Sequence, residues 1–235
     1  MTIQKALEQL DWKVIENSLC QRGYATTEPL LTPEDCHALV ALYHQEECFR
    51  SRVDMRRFRF GEGEYKYFRY PLPPLIQALR ETLYPPLATI ANTWSHALSA
   101  SREFPTTLVQ LLALCRRHGQ TKPTPLLLHY TGGGYNCLHQ DLYGDVAFPL
   151  QLTILLSRPS LDFTGGEFVL VEQRPRAQSR VEVISLEQGQ AIVFATRYRP
   201  VQGSRGYYKV NTRHGVSTVR SGARFTLGVI FHDAK

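Results

Sequence analysis

What most constrains this chain is a change of hydrophobic period after Lys122. Beyond that point come short apolar or alternating runs, PLLLHY, FPLQLTILLS, EFVLVEQ, RVEVISL, AIVFAT, YYKVN and RFTLGVIFH, separated by Gly, Pro, Arg and Ser. Runs of this length bounded by turn residues read as strands. So many of them at short spacing predict a closed or double-layer β structure.

Before Lys122 the period is helical. Ile3, Leu7, Leu10, Val14, Ile15 and Leu19 recur mostly at three- and four-residue spacing and predict one amphipathic helix over residues 3–21, stopped by Gly23. GYATTEPLL reads as a strand. Thr32-Pro33-Glu34-Asp35 then supplies a cap, a first-turn proline and two first-turn acids for a helix reaching Tyr43. Residues 74–98 and 106–118 are again helical in period, with an interruption expected at Pro85-Pro86. Residues 49–70 alternate aromatic and charged side chains around Gly61-Glu62-Gly63, as a hairpin with one solvated face would.

At 235 residues, with no repeat, low-complexity tract or marked linker, the chain reads as one domain, residues 1–235. Within it, residues 1–123 are a mainly helical support and residues 124–235 the β core. The N-terminus lacks the pattern of a secretory signal, and no apolar run approaches membrane-spanning length. Five scattered cysteines, never in a C-x-x-C pair, disfavour a disulfide framework or zinc ribbon, so a reducing cytoplasm is expected. The net charge of +6 permits an anionic partner without requiring one.

His139-Gln140-Asp141 follows a strand and the turn Thr131-Gly132-Gly133-Gly134, so an imidazole and a carboxylate can project toward one point. That is half of a metal site. Non-haem iron(II) oxygenases need two His and one carboxylate on one face of the ion, with the opposite positions free. Only His214 and His232 lie downstream, and His214 opens the last strand pair.

His139-x-Asp141, His214 at 73 positions beyond the Asp and Arg224 at 10 beyond that His resemble the signature of the iron(II)/2-oxoglutarate dioxygenases. Phe163-Thr164-Gly165-Gly166-Glu167-Phe168 and Tyr130 are similar to the prolyl-hydroxylase-like branch of that family. HQDLYGD, FTGGEFVL and GVIFHDA look more specifically like a bacterial oxygenase group described as acting on damaged DNA. The resemblance covers roughly residues 124–233.

It implies an α+β, mainly β fold: a double-stranded β-helix, or jelly roll, with a helical N-terminal buttress. It implies iron(II) held by His139, Asp141 and His214, with 2-oxoglutarate and O2 as co-substrates. Arg224 would meet the distal carboxylate of 2-oxoglutarate, because a buried carboxylate needs a charge-assisted, preferably bidentate partner. Tyr130 could donate its hydroxyl to the same group. His129 and His232, on flanking strands, are candidates to support the ligands, whereas His37, His44, His96 and His118 fall on helices.

The expected reaction is oxidative decarboxylation of 2-oxoglutarate to succinate and CO2, coupled to hydroxylation of a substrate C–H bond. Arg50, Arg52, Arg56, Arg57, Arg59, Lys66 and Arg69, interleaved with Phe58, Phe60, Tyr65, Tyr67 and Phe68, suit phosphates and stacked bases. Arg56, Arg57, Arg59, Tyr65 and Tyr67 are therefore candidates to bind substrate, with DNA or RNA as partner and oxidative demethylation of damaged nucleic acid as the activity. Arg174, Arg176, Arg180, Arg197, Arg199 and Arg205 lie between late strands, where a substrate rim could form. The alternatives are a prolyl-type protein hydroxylase or small-molecule hydroxylase, and a non-catalytic cupin-like protein that binds metal or ligand.

Overall fold

The computed structural model describes residues 3–100 and 103–235, with side chains from Lys5 onward, so the expected apolar position Ile3 lies outside the described side chains. The first helix is two. α1 covers Ile3–Glu8 and α2 Trp12–Arg22. The Asp11 carboxylate accepts hydrogen bonds from the Lys13 and Val14 N–H groups and starts a new helix instead of continuing the old one. After β1 (Tyr24–Thr26), α3 (Pro33–Leu42) opens on a reciprocal capping box between Thr32 and Asp35.

β2 (Phe49–Asp54) and β4 (Glu64–Phe68) form the expected hairpin, but β3 (Gly61–Glu62) leaves it to pair elsewhere. α4 (Pro74–Ala97) runs through Pro85-Pro86 without the expected interruption. Leu83, Tyr84, Leu87 and Ala88 around the prolines are all buried. Burial worth roughly 1.5–3 kcal/mol per large side chain offsets the ~3 kcal/mol of an interior proline. α5 (Leu108–Arg117) starts at the Thr107 cap.

The remaining strands are β5 (Leu126–Thr131), β6 (Tyr135–His139), β7 (Leu150–Leu155), β8 (Phe163–Gly165), β9 (Phe168–Gln173), β10 (Arg180–Ile184), β11 (Ala191–Ala195), β12 (Tyr198–Gly203), β13 (Gly206–Val216) and β14 (Val219–Val229). The larger sheet runs β1-β11-β7-β14-β5-β4-β2, with β8 on the start of β14. The smaller runs β10-β9-β13-β6-β3, with β12 on β13. All pairings between named strands are antiparallel, as the jelly-roll expectation requires.

Strand alternation divides the larger sheet into two faces. Leu127, Leu150, Leu152, Ile154, Val193, Leu227 and Val229 pack with Leu79, Leu83, Leu87, Leu111 and Phe148, so the helices cover this outer face. Tyr130, Leu155, Ile192 and Phe194 point inward and meet Phe168 and Leu170 of the smaller sheet. Both faces of β11 are thus covered, which explains why AIVFA is apolar throughout. Among the described residues no helix is long and apolar enough to cross a membrane, and all five cysteines are free.

Candidate active site

The antiparallel register of β13 on β6 places His214 directly opposite His139, with ring centroids 4.2 Å apart. Asp141 lies just past the end of β6. Its Oδ1 is 3.5 Å from His139 Nε2 and its Oδ2 is 3.2 Å from His214 Nε2. One donor atom from each of the three residues lies within 4.8 Å of the others. Two imidazoles and one carboxylate converging from one side leave the other side open, the arrangement that suits non-haem iron(II).

The protonation states also suit a metal. His139 Nδ1 is 2.8 Å from the Cys137 carbonyl, which can only accept, so Nδ1 carries the proton and Nε2 offers its lone pair to the cluster. Burial alone would raise the Asp141 pKa. The hydrogen bond and charge of His214, then His139 and Tyr143, outweigh it and hold the carboxyl well below its usual range. Burial and the neighbouring His139 lower the His214 pKa, against the pull of Asp141.

Two residues absent from the sequence-based set complete the metal end. The Tyr143 hydroxyl donates to Asp141 Oδ1 at 2.7 Å, and Tyr67 meets the Tyr143 hydroxyl at 3.0 Å. Gln151 Nε2 donates to Asp141 Oδ2 at 2.8 Å and lies 3.1 Å from His214 Nε2. Gln151 has a sequence signal, as the one amide in the apolar run FPLQLTILLS. Tyr143 has a weaker one, continuing the every-second-residue spacing of His139 and Asp141.

At the other end, Tyr130 on β5 and Arg224 on β14 are direct cross-strand partners. Arg224 is only 2% exposed, and neither its Nε nor its Nη1 has a hydrogen-bond partner among the described residues. The buried Tyr130 hydroxyl also has no hydrogen-bond partner among the described residues; the nearby Asn136 amide makes no hydrogen bond of ordinary geometry to it. Burial lowers the Arg224 pKa from 12.5 to about 10, opposed by Tyr130 and Glu167.

The Gly165-Gly166 turn makes room for this arginine. Gly166 is left-handed at φ 65°, and a Cβ there would sit 2.8 Å from Arg224 Cδ. A buried guanidinium with two nitrogens unpartnered is costly, and an anion entering from the cavity would reduce the cost. One cavity of about 330 Å³ is lined by Arg224, Tyr130 and all three ligand candidates. The residues present therefore fit both an iron(II) ion and a carboxylate-bearing co-substrate.

The other expected residues separate. His129 does not face the site: alternation turns it to the outer face, where it stacks on Phe225 at 4.2 Å and meets the edge of Tyr43. His232 is buried behind Tyr143, with ring centroids 6.0 Å apart, and its Nδ1 accepts the Phe148 N–H; burial lowers its pKa to about 4. It is a neutral packing partner of Tyr143. Tyr65, Tyr67 and Arg59 line the cavity.

Arg56 and Arg57 do not line it. They are exposed and paired with Glu62 and Asp54. Arg52 pairs with Glu64, Lys66 with Glu46, and Arg50 donates to the Pro123 carbonyl. The basic hairpin is thus largely neutralised by its own acids. Of the late arginines, Arg199 is buried against Glu172 and the Cys20 and Gln21 carbonyls, while Arg174 and Arg180 pair with Glu172 and Glu182, so these three are not free to form a rim.

Comparison with known proteins places this geometry. The model of the Oxygenase-NA family, described as an oxygenase "catalysing oxidative methylation of damaged DNA", matches residues 63–234. Two uncharacterised proteins of Mycobacterium tuberculosis are each 52% identical over 167 residues, 71% of this chain and 72% of theirs.

Among solved structures, a Pseudomonas putida prolyl-4-hydroxylase superposes with a TM-score of 0.55 at 12% identity, covering 95% of this chain and 100% of that one. A Trichoplax adhaerens prolyl hydroxylase, solved with a hypoxia-inducible-factor peptide, gives 0.57 at 15% identity over 98% and 92%. A 2OG-Fe(II) oxygenase-family protein of Burkholderia pseudomallei gives 0.53 at 14% over 96% and 93%. These likenesses establish the jelly-roll fold.

An oxygenase family model spans most of the chain, so the protein is an oxygenase and the non-catalytic cupin-like alternative falls, while the His139, Asp141 and His214 donor set suits iron(II). The chain belongs to the Oxygenase-NA family.

Proposed function

We propose that this oxygenase is an iron(II)- and 2-oxoglutarate-dependent dioxygenase that oxidises a methylated or otherwise damaged nucleobase, with His139, Asp141 and His214 holding the iron and Arg224 and Tyr130 holding the distal carboxylate of 2-oxoglutarate. The observation that carries the assignment of roles is the buried Arg224 guanidinium, whose Nε and Nη1 have no hydrogen-bond partner among the described residues and which lines the same cavity as the triad. When bound, iron(II) with 2-oxoglutarate and O2 supplies oxidative decarboxylation to succinate and CO2 coupled to hydroxylation of a substrate C–H bond.

The chain's own residues supply position. Tyr143 and Gln151 fix the Asp141 carboxylate from two sides, and the Cys137 carbonyl fixes the His139 tautomer. Leu126, Leu128 and Ile230 line the cavity with Tyr65 and Tyr67, an apolar wall that excludes water from the reacting centre. The nucleobase reading is supported by the family's description and by this aromatic lining, which suits a neutral planar group. A hydroxylated N-methyl group breaks down to formaldehyde and amine.

Anaerobic protein titrated with iron(II) and 2-oxoglutarate should give the weak visible charge-transfer band of the chelate. The band should be lost in His139→Ala and need far more 2-oxoglutarate in Arg224→Ala; its persistence in both would refute the roles. Formaldehyde release from N-methylated oligonucleotides tests the substrate. Turnover of prolyl peptides or small molecules instead would replace the nucleobase reading with a hydroxylase one.

A further inference from the structure

The lip of the cavity carries a feature that the metal and co-substrate do not use. Residues 55–58 form a single 3-10 turn, with Met55 buried beneath it and Arg59 left-handed at φ 59°. Phe58 at the end of this turn and Phe60 just past it stand 56% and 46% exposed, and their rings stack on each other at 5.5 Å with 20° between planes. Large apolar side chains exposed beside a binding cavity mark a contact surface.

The lip is pinned in place. Phe60 accepts the Cys137 N–H at 2.8 Å and donates its own N–H to the Met55 carbonyl at 3.0 Å; Gly61 pairs with Asn136 on β6. Gly61 is at φ 137°, and a Cβ there would lie 2.3 Å from the Tyr135 carbonyl oxygen, so only glycine permits this approach. The aromatic pair is thus fixed to the strand that ends in His139.

The charge on the lip is selective. Arg56 and Arg57 are neutralised by Glu62 and Asp54, whereas Arg59, between the two phenylalanines and lining the cavity, has no ion pair among the described residues. A stacked, half-exposed aromatic pair beside a guanidinium with no ion pair among the described residues complements a planar base joined to a phosphate.

We propose that Phe58 and Phe60, with Arg59 between them, form a stacking platform for the nucleotide next to the base that enters the cavity, so that the substrate is taken as a single strand. The platform rests on the nucleobase reading above and adds to it the strandedness of the substrate and the residues that grip its neighbour. Stacking does the larger part of the work, and Arg59 contributes a single phosphate contact.

The test is fluorescence anisotropy with a labelled single-stranded oligonucleotide and the corresponding duplex, using anaerobic protein loaded with iron(II) and 2-oxoglutarate. Phe58→Ala and Phe60→Ala should each weaken single-strand binding by roughly 5- to 150-fold, the range of losing one base–aromatic stack. Phe58→Trp should retain it. Arg59→Gln should flatten the slope of log affinity against log salt by about 0.7, the value for one phosphate on a single strand. Oligonucleotide-independent 2-oxoglutarate turnover should stay unchanged in Phe58→Ala and Phe58→Trp, which shows that the fold and iron end are intact.

Wild-type protein that binds and oxidises oligonucleotides while the alanine variants bind as tightly as wild type would overturn the platform and leave the nucleobase reading standing. Tighter binding of duplex than single strand would also overturn it. Wild-type protein that neither binds nor oxidises any oligonucleotide would remove the nucleobase reading and the platform together.

Discussion

Replacing Arg224 by Met should stabilise the protein without 2-oxoglutarate and abolish its stabilisation by 2-oxoglutarate, two effects of opposite sign from one substitution. The displacement of the Arg224 pKa from 12.5 to about 10 corresponds to roughly 3 kcal/mol of unfavourable burial. Methionine fills similar space without a charge, so up to about 3 kcal/mol returns as stability in the ligand-free state. For a domain of this size that is an increase in Tm of roughly 6–12 °C.

Wild-type protein with 2-oxoglutarate at about one hundred times its Kd should gain about 2.7 kcal/mol, or roughly 5–11 °C. The variant should show no gain at that concentration. Losing one partner of a buried charge pair costs about 3–5 kcal/mol, so its Kd should rise roughly 150- to 5,000-fold. Thermal unfolding of anaerobic iron(II)-loaded protein, with and without 2-oxoglutarate, measures both effects. A variant that is less stable than wild type without 2-oxoglutarate, yet shifts equally with it, would show that Arg224 is a packing residue.

Removing the Tyr143 hydroxyl with Tyr143→Phe should weaken iron(II) binding about 10- to 100-fold, because an outer hydrogen bond orients Asp141; anaerobic metal titration reads this, and an unchanged Kd would count against it. His232→Asn should reduce acid sensitivity. The His232 pKa is about 4 when folded against 6.5, so the unfolded chain binds more protons between these values and its stabilising contribution is lost as pH falls through that window. Urea unfolding should show wild type losing roughly 3 kcal/mol more than the variant from pH 6.5 to 4; parallel losses would refute this. Gly166→Ala should raise the 2-oxoglutarate Kd and lower stability by more than about 1 kcal/mol, since its Cβ would press on Arg224; calorimetry that finds neither change would refute the crowding.

Most of the barrel and its ligand candidates were legible because they follow from period and order. His139, Asp141, His214 and Arg224 stand at strand ends or on strands, and the two-residue alternation that sorts Tyr130 inward is the one that turns His129 outward. That second consequence was available from the sequence, yet a histidine on a flanking strand is attributed to the site until the face is known. Asp11 splitting the first helix, and α4 passing through Pro85-Pro86, depend on a local cap and on tertiary burial that a hydrophobic count does not weigh. Gln151 and Tyr143 were missed because their value lies in hydrogen bonds to Asp141 from 10 and 2 residues away, after the chain has turned.

The hairpin at residues 49–70 carries a further physical lesson about charge. Read linearly, seven cations among aromatics suggest a strongly electrostatic nucleic-acid surface. Folded, Glu62, Glu64, Asp54 and Glu46 neutralise four of them and the Pro123 carbonyl binds a fifth. What stays available at the cavity is Arg59 flanked by Phe58 and Phe60. Affinity built this way should depend only weakly on salt and strongly on ring stacking. Because β3 fastens this lip to β6 ahead of His139, a substrate that presses on the phenylalanines presses on the strand that presents a candidate iron ligand. On the proposed platform, substrate contact and the metal end would be joined through one short stretch of backbone, in a barrel whose outer face is held by helices.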